Sequence, residues 1–209
     1  VKHCAAGKFR NAGQVCISPT RFFIEEPVYD EFIKSLKSHV EAINVGDGLD
    51  SKSTMGPLVA DRRLEVMEDF ISDAISSGGE VISGGGRGQS PGSFFEPTLI
   101  RDVPDTAKIM IEEPFGPVAP SASFSSIDEI IERANSLPFG LASYAFTSNP
   151  RTSQILKSEI ESGMLAINSM HIHSVETPFG GLKHSGYGYE GSIEGLEAFL
   201  VTKYSSEIY

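Results

Sequence analysis

The chain has 209 residues, 40% of them hydrophobic and 22% charged, with 17 basic against 28 acidic side chains and a formal net charge of −11. That acidic balance, spread out without a tail-like block, argues against a nucleic-acid or anionic-membrane partner. No apolar run reaches the roughly 18 residues that a membrane-spanning helix requires, and no signal-peptide pattern opens the chain. Two cysteines, Cys4 and Cys16, make neither a disulfide framework nor a metal site, which points to a reducing, cytoplasmic compartment.

Val1 stands inside a helical pattern with no capping residue ahead of it, so a piece of a longer protein, or a processed one, is expected. Residues 1–13 read as helix and “TRFFIEE” (20–26) as strand. Pro27 opens a helix carrying Val28, Phe32, Leu36, Val40 and Ile43 near helical spacing. “NVGDGLDSKSTMGP” is a loop by its Gly, Asp, Ser and Pro content. A second amphipathic helix sets Leu64, Met67, Ile71 and Ala74 on one face, and Gly78-Gly79 ends it.

“EVISGGGRGQSPGS” is a short strand running into a glycine-rich turn, and after “FFEPTLI” and “AKIMI” the segment “VAPSASF” is another strand. Ser125 or Ser126 caps a helix whose face is Ile127, Ile130, Ile131, Ala134 and Leu137. “GLASYAFT” is a strand, and Asn149-Pro150 begins a helix in the favoured cap-then-proline order, stopped by Gly163. “MLAIN” is a strand, “SIEGLEAFL” a last helix and “VTKYSSEIY” an exposed final strand. Helices and strands alternating in this way imply an α/β fold, a mostly parallel sheet flanked by helices, in one domain over residues 1–209.

Several motifs invite a chemical reading. “GYGYEG” (186–191) fits G-x-G-x-x-G, but it follows the polar “GLKHS” and the chain ends one strand after the next helix, which is the wrong setting for a dinucleotide fingerprint. The triple glycine at 84–86 reads as a surface turn. Cys16 lies between a helix ended by Gly13-Gln14 and a break at Ser18-Pro19, a junction where side chains meet a cleft more often than a core. Cys4, in a small-residue helical stretch, reads as packing. His171 and His173 alternate in “MHIHSVE”, yet no third ligand follows at a recognisable spacing, so no metal is expected. “IEEPFGPV” (111–118) and “TPFGGLKHSG” (177–186) each hold an aromatic ring in a rigid turn. Each is either a solvated turn or a ligand site, and a carboxylate in the first suits the two hydroxyls of a ribose.

Taken together, “KFRNAGQVC”, “MGPL”, “EEPFGPV”, “ANSLPFGLASYAFT”, “AIN” and “PFGGLKHSGYGYEG” resemble the C-terminal catalytic part of an aldehyde dehydrogenase, in that family's order and over essentially the whole chain. “KFRNAGQVC”, “VGDGLD” and the terminal “TKY” are most similar to the succinate-semialdehyde dehydrogenases. The resemblance implies that Cys16 is the nucleophile, Glu113 the carboxylate on the nicotinamide ribose and Phe115 the ring beside it. It implies further that Arg10 grips the far carboxylate of the substrate and that Phe179 lines the aldehyde pocket. Where the branch commonly carries a serine hydroxyl this chain has His173, followed by Ser174, so 2-oxoglutarate semialdehyde is an alternative to succinic semialdehyde.

The implied activity is NAD- or NADP-dependent oxidation of an ω-carboxylate semialdehyde through a cysteine thiohemiacetal and thioester. Residues 199–208 resemble the family's oligomerisation strand, so a homo-oligomer, dimer or tetramer, is expected. The family's cofactor-binding domain, general-base glutamate and asparagine oxyanion donor precede the cysteine and are not among these residues, so the fragment alone is expected to be inactive. Two readings of other classes stand beside this one: a cysteine hydrolase or thioesterase with Cys16 activated by a histidine, and a non-catalytic association domain.

Overall fold

The alternation of apolar strand segments with amphipathic helices produces two units in the computed structural model, which describes residues 1–209: Val1–Arg133 and Ala134–Tyr209. In the first, α1 (Lys2–Phe9) passes through a tight helical turn at Arg10–Gly13 to β1 (Phe22–Glu25). Next come α2 (Tyr29–Glu41), α3 (Arg62–Ser76), β2 (Glu80–Ser83) and β3 (Thr98–Arg101). A single helical turn α4 (Lys108–Ile111), β4 (Val118–Phe124) and α5 (Ile127–Asn135) follow. The strands form one sheet in the order β1-β4-β3-β2, with β1 and β3 parallel to β4 and β2 antiparallel at one edge. This is the mostly parallel α/β arrangement that the alternation implied.

The α3 face follows its spacing, whereas the expected face of Ile127, Ile130, Ile131, Ala134 and Leu137 stays only half-buried. Leu64, Met67, Ile71 and Ala74 of α3 are all buried, with Phe70 beside them. In α2 the buried side is Tyr29, Ile33, Leu36 and Val40, while Val28 stays exposed. Pro27 belongs to a separate short turn, Glu26–Val28, so the helix proper starts after the expected first apolar position. “AKIMI” winds into α4, where Asp73 at the end of α3 accepts the Lys108 N–H (2.6 Å) and the Lys108 ammonium pairs with Asp69. At α5 the Ser126 hydroxyl accepts the Glu129 N–H while the Glu129 carboxylate accepts the Ser125 N–H, a reciprocal cap.

Two features tie the sheet to its surroundings. Asp102 N–H donates to the Tyr29 hydroxyl (2.9 Å) and Ser121 Oγ donates to the Ile100 carbonyl (2.9 Å), so the Tyr29 proton points to Ser121 Oγ (3.3 Å). The second is a backbone contact: a Cβ on Gly13, whose φ is +71°, would lie 2.1 Å from the Gly116 carbonyl oxygen. Only glycine permits that approach.

In the second unit β5 (Phe139–Gly140) and β6 (Ala142–Ala145) divide the expected strand “GLASYAFT”; α6 (Pro150–Glu159) and β7 (Met164–Ile167) follow. β8 (Leu182–Lys183) and α7 (Ser192–Glu197) complete it. β6 runs parallel to β7, and β5 antiparallel to β8. Asn149 Oδ1 caps α6 by accepting the Arg151 and Thr152 N–H groups. Residues 199–208 join no ladder within the chain, and Phe199, Leu200, Val201 and Ile208 are exposed. No helix is long and apolar enough to cross a membrane.

Two substitutions test these contacts by thermal or denaturant unfolding. Tyr29→Phe leaves Asp102 N–H without its acceptor and should cost about 1–3 kcal/mol. Gly13→Ala combines a left-handed backbone with an overlap against Gly116, and should cost more than about 2 kcal/mol.

Candidate active site

The turn that carries Cys16 is conformationally unusual. Asn11, Ala12 and Gly13 are successively left-handed, with φ of +52°, +54° and +71°. Ala12 carries a side chain that disfavours this region, so something must hold it there. The holding group is Gln14. Asn11 Nδ2 donates to the Gln14 carbonyl and Gln14 Nε2 to the Asn11 carbonyl, each at 3.0 Å. Gln14 Oε1 accepts the Val59 N–H (2.8 Å), and Nε2 reaches the Pro57 carbonyl (3.3 Å), which ties the turn to “MGPL”. The result exposes Cys16, whereas Cys4 is buried and its thiol is pushed up by that burial. Arg10, first residue of the turn, is exposed.

The second turn, Glu113 to Pro117, is fixed from two sides. Gly13 presses on Gly116 from one side, and Arg63 of α3 donates to the Pro114 carbonyl from the other. Met67 fills the space that a Cβ on Gly116 would take. Pro114 and Gly116 are buried while Glu113 and Phe115, the latter at φ +42°, remain exposed on the outer side. The structure thus brings the turns of Cys16 and Arg10 and of Glu113 and Phe115 together. An outward carboxylate with two acceptor oxygens, beside an aromatic ring, fits a ribose diol and its attached base.

The charges under these turns were not foreseen. Lys8 of α1 is 1% exposed, and burial pulls its ammonium down to about 7 against the opposing attraction of Glu113. Partial burial raises the Glu113 carboxyl, with Lys8 and Arg63 pulling the other way. One signal for Lys8 did exist in the sequence: it lies four residues after Cys4, on the face of α1 that buries Cys4, Ala5 and Phe9. Gln14 and Arg63 act through carbonyls, and no spacing pattern marks them.

His173, Ser174 and Phe179 belong to the second unit. The His173 ring meets Phe179 edge-on at 6.0 Å and stacks with His171 at 6.0 Å. The Ser174 hydroxyl is committed to Glu176 (2.7 Å), and its N–H to Thr177 Oγ1 (2.8 Å). Phe179 is fixed by paired backbone bonds with Glu190 (2.8 and 2.7 Å). A cleft of about 430 Å³ is lined by residues 181–184 and 186–189 of the same loop.

Comparison with known proteins agrees with this arrangement of elements. The aldehyde dehydrogenase family profile matches residues 1–205. The succinate-semialdehyde dehydrogenase [NADP(+)] of Escherichia coli is 40% identical over 98% of this chain and 42% of its own length. A putative 4-(hydroxymethyl)benzenesulfonate dehydrogenase of Comamonas testosteroni is 42% identical over 94% of this chain and 41% of its own. The crystal structure of succinate-semialdehyde dehydrogenase from Burkholderia pseudomallei superposes with a TM-score of 0.94 at 38% identity, over 96% of this chain and 42% of that one. The chain therefore spans 41–42% of the length of these relatives. A match across nearly every residue, in sequence and in fold, settles the family: this chain belongs to the aldehyde dehydrogenases.

Proposed function

We propose that this chain is the catalytic domain of an NAD(P)-dependent oxidoreductase that converts an ω-carboxylate semialdehyde, succinic semialdehyde foremost, to the acid. One observation carries the reading: an exposed thiol, Cys16, sits on a turn locked against the turn that bears Glu113. The Cys16 thiolate adds to the aldehyde carbon and forms a thiohemiacetal. Its oxyanion can be met by the Cys16 N–H, which the turn's own hydrogen bonds, Gln14 N–H to Asn11 (3.1 Å) and Ser18 N–H to Val15 (2.9 Å), leave out. The chemistry supplied by bound NAD or NADP is acceptance of a hydride. Glu113, with Phe115 beside it, would hold the cofactor by accepting hydrogen bonds from its nicotinamide ribose. Water then cleaves the thioester on Cys16, releasing the acid and restoring the thiol.

Arg10 supplies discrimination, because its planar guanidinium pairs bidentately with the substrate's far carboxylate. His173, Ser174 and Phe179 line the aldehyde pocket in this reading. An imidazole against the Phe179 edge, with the Ser174 hydroxyl already engaged by Glu176, favours 2-oxoglutarate semialdehyde as the second substrate, since its additional oxygen can accept from His173. We infer also a cytoplasmic homo-oligomer, dimer or tetramer, formed through residues 199–208, whose exposed apolar side chains suit a neighbouring subunit. The 209 residues alone should turn over little, because they cover 42% of a whole enzyme such as the Escherichia coli relative.

Two measurements address this reading. Iodoacetamide at neutral pH should alkylate exposed Cys16 at least about tenfold faster than buried Cys4; equal rates would assign Cys16 to packing. In the full-length enzyme, Arg10→Ala should raise the KM for succinic semialdehyde by about tenfold or more, as expected for a hydrogen-bonded charge pair, and leave that for propanal within about twofold. Equal effects on both aldehydes would remove Arg10 from carboxylate recognition.

A further inference from the structure

The turn from Glu113 to Pro117 is pinned at Gly116, which lies between Gly13 and Met67; a Cβ there would come within 2.2 Å of the Met67 sulfur. Pro114 sets its own φ through its ring, and the peptide unit that follows is planar. The next rotation, ψ of Pro114, aims the Pro114 carbonyl and decides where Glu113 lies relative to the pinned glycine. Phe115 beyond it has a φ of +42°, a left-handed value that a residue with a large side chain keeps only where its surroundings impose it. The group that meets the Pro114 carbonyl is the half-buried guanidinium of Arg63. Arg63 and Met67 stand four residues apart on α3, so one helix face addresses this turn at two points. The start of that helix is itself anchored, because Leu58 N–H donates to the Ser93 carbonyl (2.9 Å) and the Ser93 hydroxyl donates to Asp61. Arg62, next to Arg63 in the chain, is exposed.

We propose that Arg63 is a positioning residue for dinucleotide binding: by donating to the Pro114 carbonyl it fixes the turn so that the Glu113 carboxylate faces the nicotinamide ribose. This rests on the ribose role proposed above for Glu113. Arg63 acts through a backbone carbonyl of the Glu113 turn, whereas the aldehyde is met by Cys16 and Arg10 on the other turn. Its loss therefore falls on the dinucleotide and not on the aldehyde.

The test uses the full-length enzyme. Binding of the preferred one of NADH and NADPH is followed by its nicotinamide fluorescence without aldehyde, and the KM for succinic semialdehyde is measured at saturating oxidised dinucleotide. Arg63→Met, which keeps the apolar stem and removes the donors, should weaken dinucleotide binding by about tenfold while the semialdehyde KM stays within about twofold. Arg63→Lys, which keeps a charged donor, should recover most of that loss. Arg62→Met removes the same charge from the same helical turn, at an exposed position, and should change binding by less than about twofold. Added to Glu113→Ala, Arg63→Met should weaken binding by no more than about a further twofold, because one interaction is lost either way. Unchanged binding in Arg63→Met, a parallel rise in the semialdehyde KM, or equal losses in Arg63→Met and Arg63→Lys would overturn the proposal. So would an equal loss in Arg62→Met or additive losses in the double variant. If Glu113→Ala itself leaves binding unchanged, the ribose role of Glu113 fails and the proposal falls with it; a loss in Glu113→Ala without one in Arg63→Met overturns the role of Arg63 alone.

Discussion

The contact on which the site depends is the approach of two backbones at Gly13 and Gly116. One glycine ends the left-handed turn ahead of Cys16, and the other sits within the Pro-Phe-Gly-Pro turn that follows Glu113. Without side chains at these two points, a thiol and a carboxylate 97 positions apart in sequence can share one locality. The surrounding fold serves this meeting. β1 and β4 are parallel neighbours, so the segments preceding each of them emerge at the same end of the sheet. The strained turn before β1 and the rigid turn before β4 thus lie side by side.

A closely packed junction of this kind needs its polar groups satisfied. Gln14 does so for the Cys16 turn, bonding to Asn11 within it and to Pro57 and Val59 outside it. Arg63 does so for the carboxylate turn. Both use amide or guanidinium geometry to bind backbone carbonyls, so the turns are held by directional bonds as well as by packing. Lys8 adds charge from the interior. Its burial disfavours the ammonium while Glu113 favours it, and the same balance acts in reverse on the Glu113 carboxyl. Cys16 and Glu113 stand exposed above a layer in which Lys8, Gly13, Pro114 and Gly116 are buried.

Much of the fold was legible. The α3 face of Leu64, Met67, Ile71 and Ala74 is buried as its spacing requires, and Asn149-Pro150 caps α6 as expected. Cys16 is exposed and Cys4 buried, as junction and small-residue helix suggested. Other expectations needed correction. Val28 remains in solvent because Pro27 belongs to its own short turn, and “GLASYAFT” is two strands. Each correction comes from a neighbouring element or a local break that propensity does not weigh.

The sequence by itself determined the alternation of helix and strand, the buried face of α3, the family and the residues that match its motifs. The first two follow from periods of two and 3.6 residues and from local caps, which act within a few positions of the chain, and the last two from motifs that resemble the family's in their order. Only the tertiary structure decided that Gln14 clasps a loop more than 40 residues away and that Gly13 meets Gly116. Those outcomes depend on which surfaces arrive together and how closely two backbones can pass. An amide or a missing Cβ carries no periodic mark to announce such a partner.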